Sequence, residues 1–153
     1  MKKVFAIEDN CVACGRCEVA CKTNHSQSKN TVIAYKVENP VPMARIRVDG
    51  SLAVSVSVNC RHCEYPACVE ACISGAMQKD PVTGIVSSDA QKCVGCYTCV
   101  AMCPFGAVFV ASNGTKQVAF KCDLCGGEAQ QAIPACVAAC PNNALIYQES
   151  ERG

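Results

Sequence analysis

The chain has 153 residues, with 14 basic against 13 acidic side chains and a formal charge of +1, a near balance that excludes a strong electrostatic footprint for nucleic acid. Sixteen cysteines, no Trp and only 5% aromatic residues leave a thin apolar core, so something besides side-chain packing must hold the fold together. No run is long enough for a membrane-spanning helix, and the opening MKKVFAIEDN meets Glu8 and Asp9 before a signal-like apolar region forms. A reducing cytoplasm is therefore expected, where clustered thiols mean metal or redox chemistry rather than disulfides.

Along the chain the cysteines fall into four groups of four. Group I, CVACGRCEVAC, holds Cys11, Cys14, Cys17 and Cys21. A polar loop, TNHSQSKN, follows; its His25 carries no signal. The ENPVPMAR stretch then reads as extended, with apolar residues turned outward as a candidate partner contact. RIRVDGSLAVSVSV, Arg45 to Val58, predicts a β-hairpin turning at Asp49-Gly50. Group II, CRHCEYPACVEAC, holds Cys60, Cys63, Cys68 and Cys72. The segment after it carries turn signals from Asp80-Pro81 through Gly84, predicting a second hairpin. Group III, CVGCYTCVAMC, holds Cys93, Cys96, Cys99 and Cys103, followed by Pro104 and a strand-like FGAVFV. The eighteen residues between Cys103 and Cys122 also accommodate a hairpin. Group IV, CDLCGGEAQQAIPACVAAC, holds Cys122, Cys125, Cys136 and Cys140, with GGEAQQAIPA as a candidate docking loop. Pro141 follows, then a strand-like NNALIY and a polar tail over 149–153.

Every group starts C-x2-C and ends C-x3-C; only the middle spacing varies, from two residues to four to ten. Groups I and III have the C-x2-C-x2-C-x3-C run of bacterial ferredoxins. Three close thiolates on a tight loop can each reach a different iron of one cubane, while the fourth cysteine points to a partner cluster. A proline after it stops the short helix. Gly15 and Gly95 suit a backbone wrapped closely around such a group. Structural zinc uses C-x2-C pairs, two per site, which the C-x3-C endings do not provide. His62 suggests a Rieske-like ligand, but group II already has four cysteines and the His is expected not to ligate. The pattern thus predicts four [4Fe–4S] clusters. No hydrolytic triad, Walker A loop or G-x-G-x-x-G fingerprint is present, so no intrinsic enzyme activity is expected. Because the fourth cysteine crosses over, groups work in pairs. Spacing allows either I with II and III with IV, or II with III nested inside I with IV.

The order of spacings resembles the four-cluster iron–sulfur subunits of anaerobic oxidoreductases, the group that includes the electron-transfer subunits of dimethyl sulfoxide reductase and formate dehydrogenase. Within it, CRHCEYPACVEACISGAM followed by KCVGCYTCVAMCPFGA looks most like the iron–sulfur protein that accompanies carbon monoxide dehydrogenase. Group I departs in having Lys22, and group II Ile73, where the motif has proline; neither change removes a ligand. The resemblance implies the nested pairing. Cluster A then takes Cys11, Cys14, Cys17 and Cys140, and cluster D takes Cys122, Cys125, Cys136 and Cys21. Cluster B takes Cys60, Cys63, Cys68 and Cys103, and cluster C takes Cys93, Cys96, Cys99 and Cys72.

The implied fold is α+β: two ferredoxin-like units related by a pseudo-twofold, one inserted in the other. Residues 1–29 with 116–148 form the split unit, and 45–112 the inserted one. The implied function is a one-electron relay between a catalytic partner, carbon monoxide dehydrogenase first, and a downstream acceptor protein. Formate dehydrogenase or hydrogenase as the partner, a freely diffusing polyferredoxin, and a zinc-dependent binding module are the alternatives. Neither nucleic acid nor direct membrane insertion is expected. Four clusters of charge about −2 would carry the loaded protein to about −7. Arg16, Lys22, Arg61, Lys92 and Lys121, beside the motifs, are candidates to offset that charge, or simply solvated surface. Much of the folding free energy is expected from metal–thiolate bonds, leaving the apo chain largely unstructured.

Overall fold

The computed structural model describes residues 1–51, 54–126 and 133–149. Its elements are β1 (Lys2–Ala6), α1 (Arg16–Asn24), α2 (Thr31–Lys36), β2 (Ile46–Gly50), β3 (Ser55–Asn59), α3 (Ala67–Glu70), β4 (Met77–Lys79), β5 (Val86–Ser88), α4 (Thr98–Met102), β6 (Phe109–Ser112), β7 (Gln117–Phe120), α5 (Ala135–Ala138) and β8 (Leu145–Glu149). Among the described residues the strands form four two-stranded antiparallel sheets, three of them hairpins and the fourth joining β1 to β8. This is a small α+β architecture. No helix among the described residues is long and apolar enough to cross a membrane.

Turn chemistry places the hairpins. Asp80 Oδ1 accepts from the Val82 and Thr83 N–H groups at 2.8 and 2.7 Å, closing β4 onto β5 with Lys79 opposite Val86. Asn113 does the same for β6 and β7, taking the N–H groups of Thr115 and Lys116 at 3.0 Å each. This hairpin spans the boundary expected between the two units, so β6 and β7 bond to each other across it. The β2–β3 hairpin does not turn at Asp49-Gly50. Gly50 still pairs with Ser55, and the reversal is closed by Ser51 N–H donating to Val54 O at 2.8 Å. Gly50 is required for another reason: at φ +119 a Cβ would stand 2.2 Å from Val54 O.

Groups II, III and IV carry short helices: α4 and α5, followed by Pro104 and Pro141, have five and four residues, and α3 has four although Ile73 follows the last cysteine of group II. Group I has Lys22 after its last cysteine, and α1 runs nine residues to Asn24, past that cysteine. Helix α2, unforeseen, follows the polar loop and starts because Asn30 Oδ1 caps the N–H groups of Val32 and Ile33 at 3.0 and 3.2 Å. The tail is also shorter than expected, since Glu149 ends β8 opposite Lys2 and binds the N-terminal amine at 3.0 Å. Six residues of the GGEAQQAIPA loop, 127–132, lie outside the described residues.

Two apolar clusters form the core. One draws from both chain ends: Val4, Cys17, Cys21, Leu124, Cys136 and Leu145, with Ile46 and Ile85. The other lies within 68–119, with Cys68, Met77, Val86, Cys93, Cys99, Val108 and Val118. Thiols are integral to both, which is how so few aromatic residues suffice.

Candidate metal centres

Each C-x2-C loop bends in the same way. The residue before the second cysteine is left-handed in all four: Ala13 (φ 54), His62 (φ 45), Gly95 (φ 73) and Leu124 (φ 53). Three of these carry a Cβ, a conformation costing about 1 kcal/mol or more per residue. Such a bend turns successive N–H groups to one side and makes a concavity suited to an anion. The fourth cysteine of each group shares a second device, a backbone N–H aimed at its sulfur. Met77 donates to Cys72 Sγ at 3.3 Å, Ala107 to Cys103 at 3.4 Å and Ala144 to Cys140 at 3.2 Å. Left-handed Gly75, Gly106 and Asn143 swing the chain back to make these bonds. In group I, where α1 continues, the donor comes from 24 residues on: Arg45 N–H to Cys21 Sγ at 3.2 Å.

The thiols stand in foursomes. Cys72, Cys93, Cys96 and Cys99 line one cavity, walled by Ala76, Met77 and Ala119. Cys11, Cys14, Cys17 and Cys140 line another, beside Val48 and Ser57, whose Oγ is 3.7 Å from Cys17 Sγ. Burial pushes the Cys68 thiol up; Lys121 opposes this, and Cys60, Cys103 and Cys63 add to it. Burial takes Cys136 to about 12, with Cys21 and Cys125 contributing. Cys122 is likewise held well above the thiol range by burial, then Cys136 and Cys21. Burial with Cys72, Cys93 and Cys96 takes Cys99 to about 11. Among the described residues no three His, Cys, Asp or Glu side chains converge on a single-ion site. The thiols surround a space instead, and as thiolates they repel until positive charge sits among them. That donor set fits a multi-iron cluster, whose irons each take one sulfur.

The foursomes also follow one another. Cys17 adds to the shift of Cys136, linking A to D, and Cys60 adds to that of Cys122, linking D to B. Cys68 adds to that of Cys99, linking B to C. Cys14 and Cys96 are the most exposed of the sixteen cysteines, and seven others are partly exposed.

The charged side chains meet different fates. Lys22 lies over the Tyr35 ring at 3.7 Å, Arg61 near Phe5 and Phe105 at 5.8 and 5.9 Å, and Lys92 beside Asp89 at 3.7 Å. Arg16 lines a surface groove next to Cys14. Lys121 differs: it is 1% exposed, and its Nζ has no hydrogen-bond partner among the described residues. It stands near enough to Cys60 and Cys68 for its charge to pull both thiols down, and at Cys60 a side-chain contact adds to that pull.

Neither histidine is inert. His62, also 1% exposed, accepts from the Val86 N–H at Nδ1 (3.0 Å) and donates its own backbone N–H to Cys60 Sγ at 3.2 Å. Burial, then Lys121, depress its ring to about 3, so it stays neutral. His25 caps α1, with Nδ1 2.8 Å from Cys21 O and Nε2 3.0 Å from Asp123 Oδ1. Its burial works against protonation, but Asp123 and Cys21 outweigh that and bring it to about 9. Arg45 joins the same carboxylate. The hint of this trio was a Cys-x3-His at helical spacing, unreadable without Asp123 from group IV.

A family model described as a 4Fe-4S dicluster domain matches residues 53–150. Electron transport protein HydN of Escherichia coli is 35% identical over 94% of this chain and 85% of its own length. An iron-sulfur protein of Rhodospirillum rubrum is also 35% identical, over 93% and 79%. Protein NrfC of Escherichia coli is 34% identical over 92% of this chain and 61% of its own length.

Proposed function

The chain belongs to the 4Fe-4S dicluster domain family, and from that premise we propose that it is a four-cluster electron relay without an active site of its own. What supports this is a run of neighbouring thiol groups, which we read as A–D–B–C, with Cys14 and Cys96 at its two ends the most exposed of the cysteines. Clusters bound there would each take up and release one electron. One electron enters from a reduced partner at one end, and one leaves to an oxidised acceptor at the other. The chain's own residues space the thiols and direct N–H groups at Cys21, Cys72, Cys103 and Cys140. Such bonds to sulfur ease reduction.

Likeness to proteins named for electron transport and iron–sulfur content supports the reading. In finer detail we assign the nested ligand sets, two ferredoxin-like units with the second inserted in the first, and a cytoplasmic setting. Carbon monoxide dehydrogenase is the first partner, on the likeness of groups II and III; formate dehydrogenase or hydrogenase comes next, with a downstream acceptor protein in either case. The test is iron, zinc and acid-labile sulfide per chain after anaerobic purification, with co-purifying proteins identified. About sixteen iron and sixteen sulfide with a stable redox-enzyme partner is expected. Zinc without sulfide overturns the relay, and iron–sulfur loading with no retained partner favours a diffusing polyferredoxin.

A further inference from the structure

A buried ammonium needs a counter-charge, and the fold supplies none to Lys121. Its side chain is 1% exposed and Nζ meets no acceptor among the described residues. Leaving such a charge uncompensated in the interior is strongly destabilising. Asp123, two residues on, is already bonded to His25 Nε2 and Arg45. A second donor nearby is also without a partner. With Nδ1 accepting from Val86, the neutral His62 ring carries its proton on Nε2, and that atom too is buried and unbonded. One buried acceptor in the same stretch, Asn59 Oδ1, is free, but a neutral amide does not balance a full charge.

Lys121 thus brings its buried charge to Cys60, while His62, whose backbone N–H meets the same sulfur, leaves a ring donor unpartnered. What is missing is an anion, and a thiolate-ligated cluster at Cys60, Cys63, Cys68 and Cys103 has the right sign and place. Lys121 also directly precedes Cys122, so its backbone belongs to site D while its head serves site B. The other basic residues beside the motifs are engaged with aromatic rings or carboxylates, or lie at the surface.

We propose that Lys121 is the resident counter-charge of site B, set at the B–D junction, and that it makes the cluster held there the most easily reduced of the four. The inference rests on the four-cluster reading. A fixed positive charge in a low-dielectric interior favours the state with one more electron, and it does so most for the nearest cluster. The first electron to enter the chain would then settle in the middle of the relay, away from both ends. Lys121 acts through the cluster's surroundings and is a positioning residue for charge, not a ligand.

The test is a potentiometric titration of the anaerobically purified wild type, Lys121→Met and Lys121→Arg proteins, followed by electron paramagnetic resonance, with iron and sulfide measured on each. Expected is a downward shift of the highest-potential cluster in Lys121→Met, the other clusters moving less, with Lys121→Arg close to wild type. Should Lys121→Met lose about a quarter of its iron while Lys121→Arg keeps it, the charge is needed even to retain the cluster, which supports the proposal. Unchanged potentials in a fully loaded Lys121→Met protein overturn it, as does equal iron loss in both variants, which would make the side chain a matter of shape. Absence of iron–sulfur clusters from the wild type would instead sink the relay reading itself.

Discussion

Groups I and III share one cysteine spacing and close their last thiol by different routes. In group III, α4 ends at Met102 ahead of Pro104, and left-handed Gly106 brings the Ala107 N–H to Cys103 Sγ, four residues away. In group I, α1 runs on past Lys22, and Cys21 waits for Arg45. The sulfur receives the same bond, but one is local and the other closes a loop through α2 and the 38–45 stretch. Ligand spacing is therefore a requirement of the cluster, whereas the exit is free to vary, provided that an N–H arrives. The second route ties a long excursion of chain to site D, and His25, Asp123 and Arg45 reinforce the tie.

Four experiments would break or sharpen that contrast. The largest effect is expected from stripping the clusters by anaerobic oxidation and chelation. Far-UV circular dichroism should collapse, because each closing bond ends on a sulfur held by metal; a native-like apo spectrum would mean that the exits fold by themselves. Next come Cys21→Ala and Cys103→Ala. Each should lose about four iron, but only Cys21→Ala should open residues 26–44 to limited proteolysis. Equal cleavage would erase the distinction between local and distant closure. Third, Lys22→Pro should destabilise α1 by about 3 kcal/mol in denaturant titration of the loaded protein. Pro104→Ala should cost less than about 1 kcal/mol, because α4 already stops at Met102. The smallest effect should come from Asn30→Ala, which removes the α2 cap and costs about 1 kcal/mol in the same titration.

What was legible in the sequence is what side-chain identity encodes directly. Cysteine spacing, the Asp80–Gly84 turn and the strand-like segments after Pro104 and Pro141 all have counterparts in the structure. Asp49-Gly50 misled because a glycine demanded by a crowded strand end reads the same as one demanded by a turn. Left-handed Ala13, His62 and Leu124 were invisible, since no residue type advertises a conformation that the loop around a cluster imposes. Lys121 was among five basic candidates; choosing between them needed the depth at which each head group ends, which depends on tertiary packing.

Cys14 and Cys96 have one further consequence, which concerns air. The thinnest cover that lets an electron cross to a partner also admits dioxygen, and a sulfur at the surface is the first to be attacked. Damage should then start at the two ends and proceed inward, so that a briefly exposed protein is cut off from its partners while its central pair is still intact. A docked partner covering either thiol would serve as its shield, making assembly a form of protection as well as a path for charge.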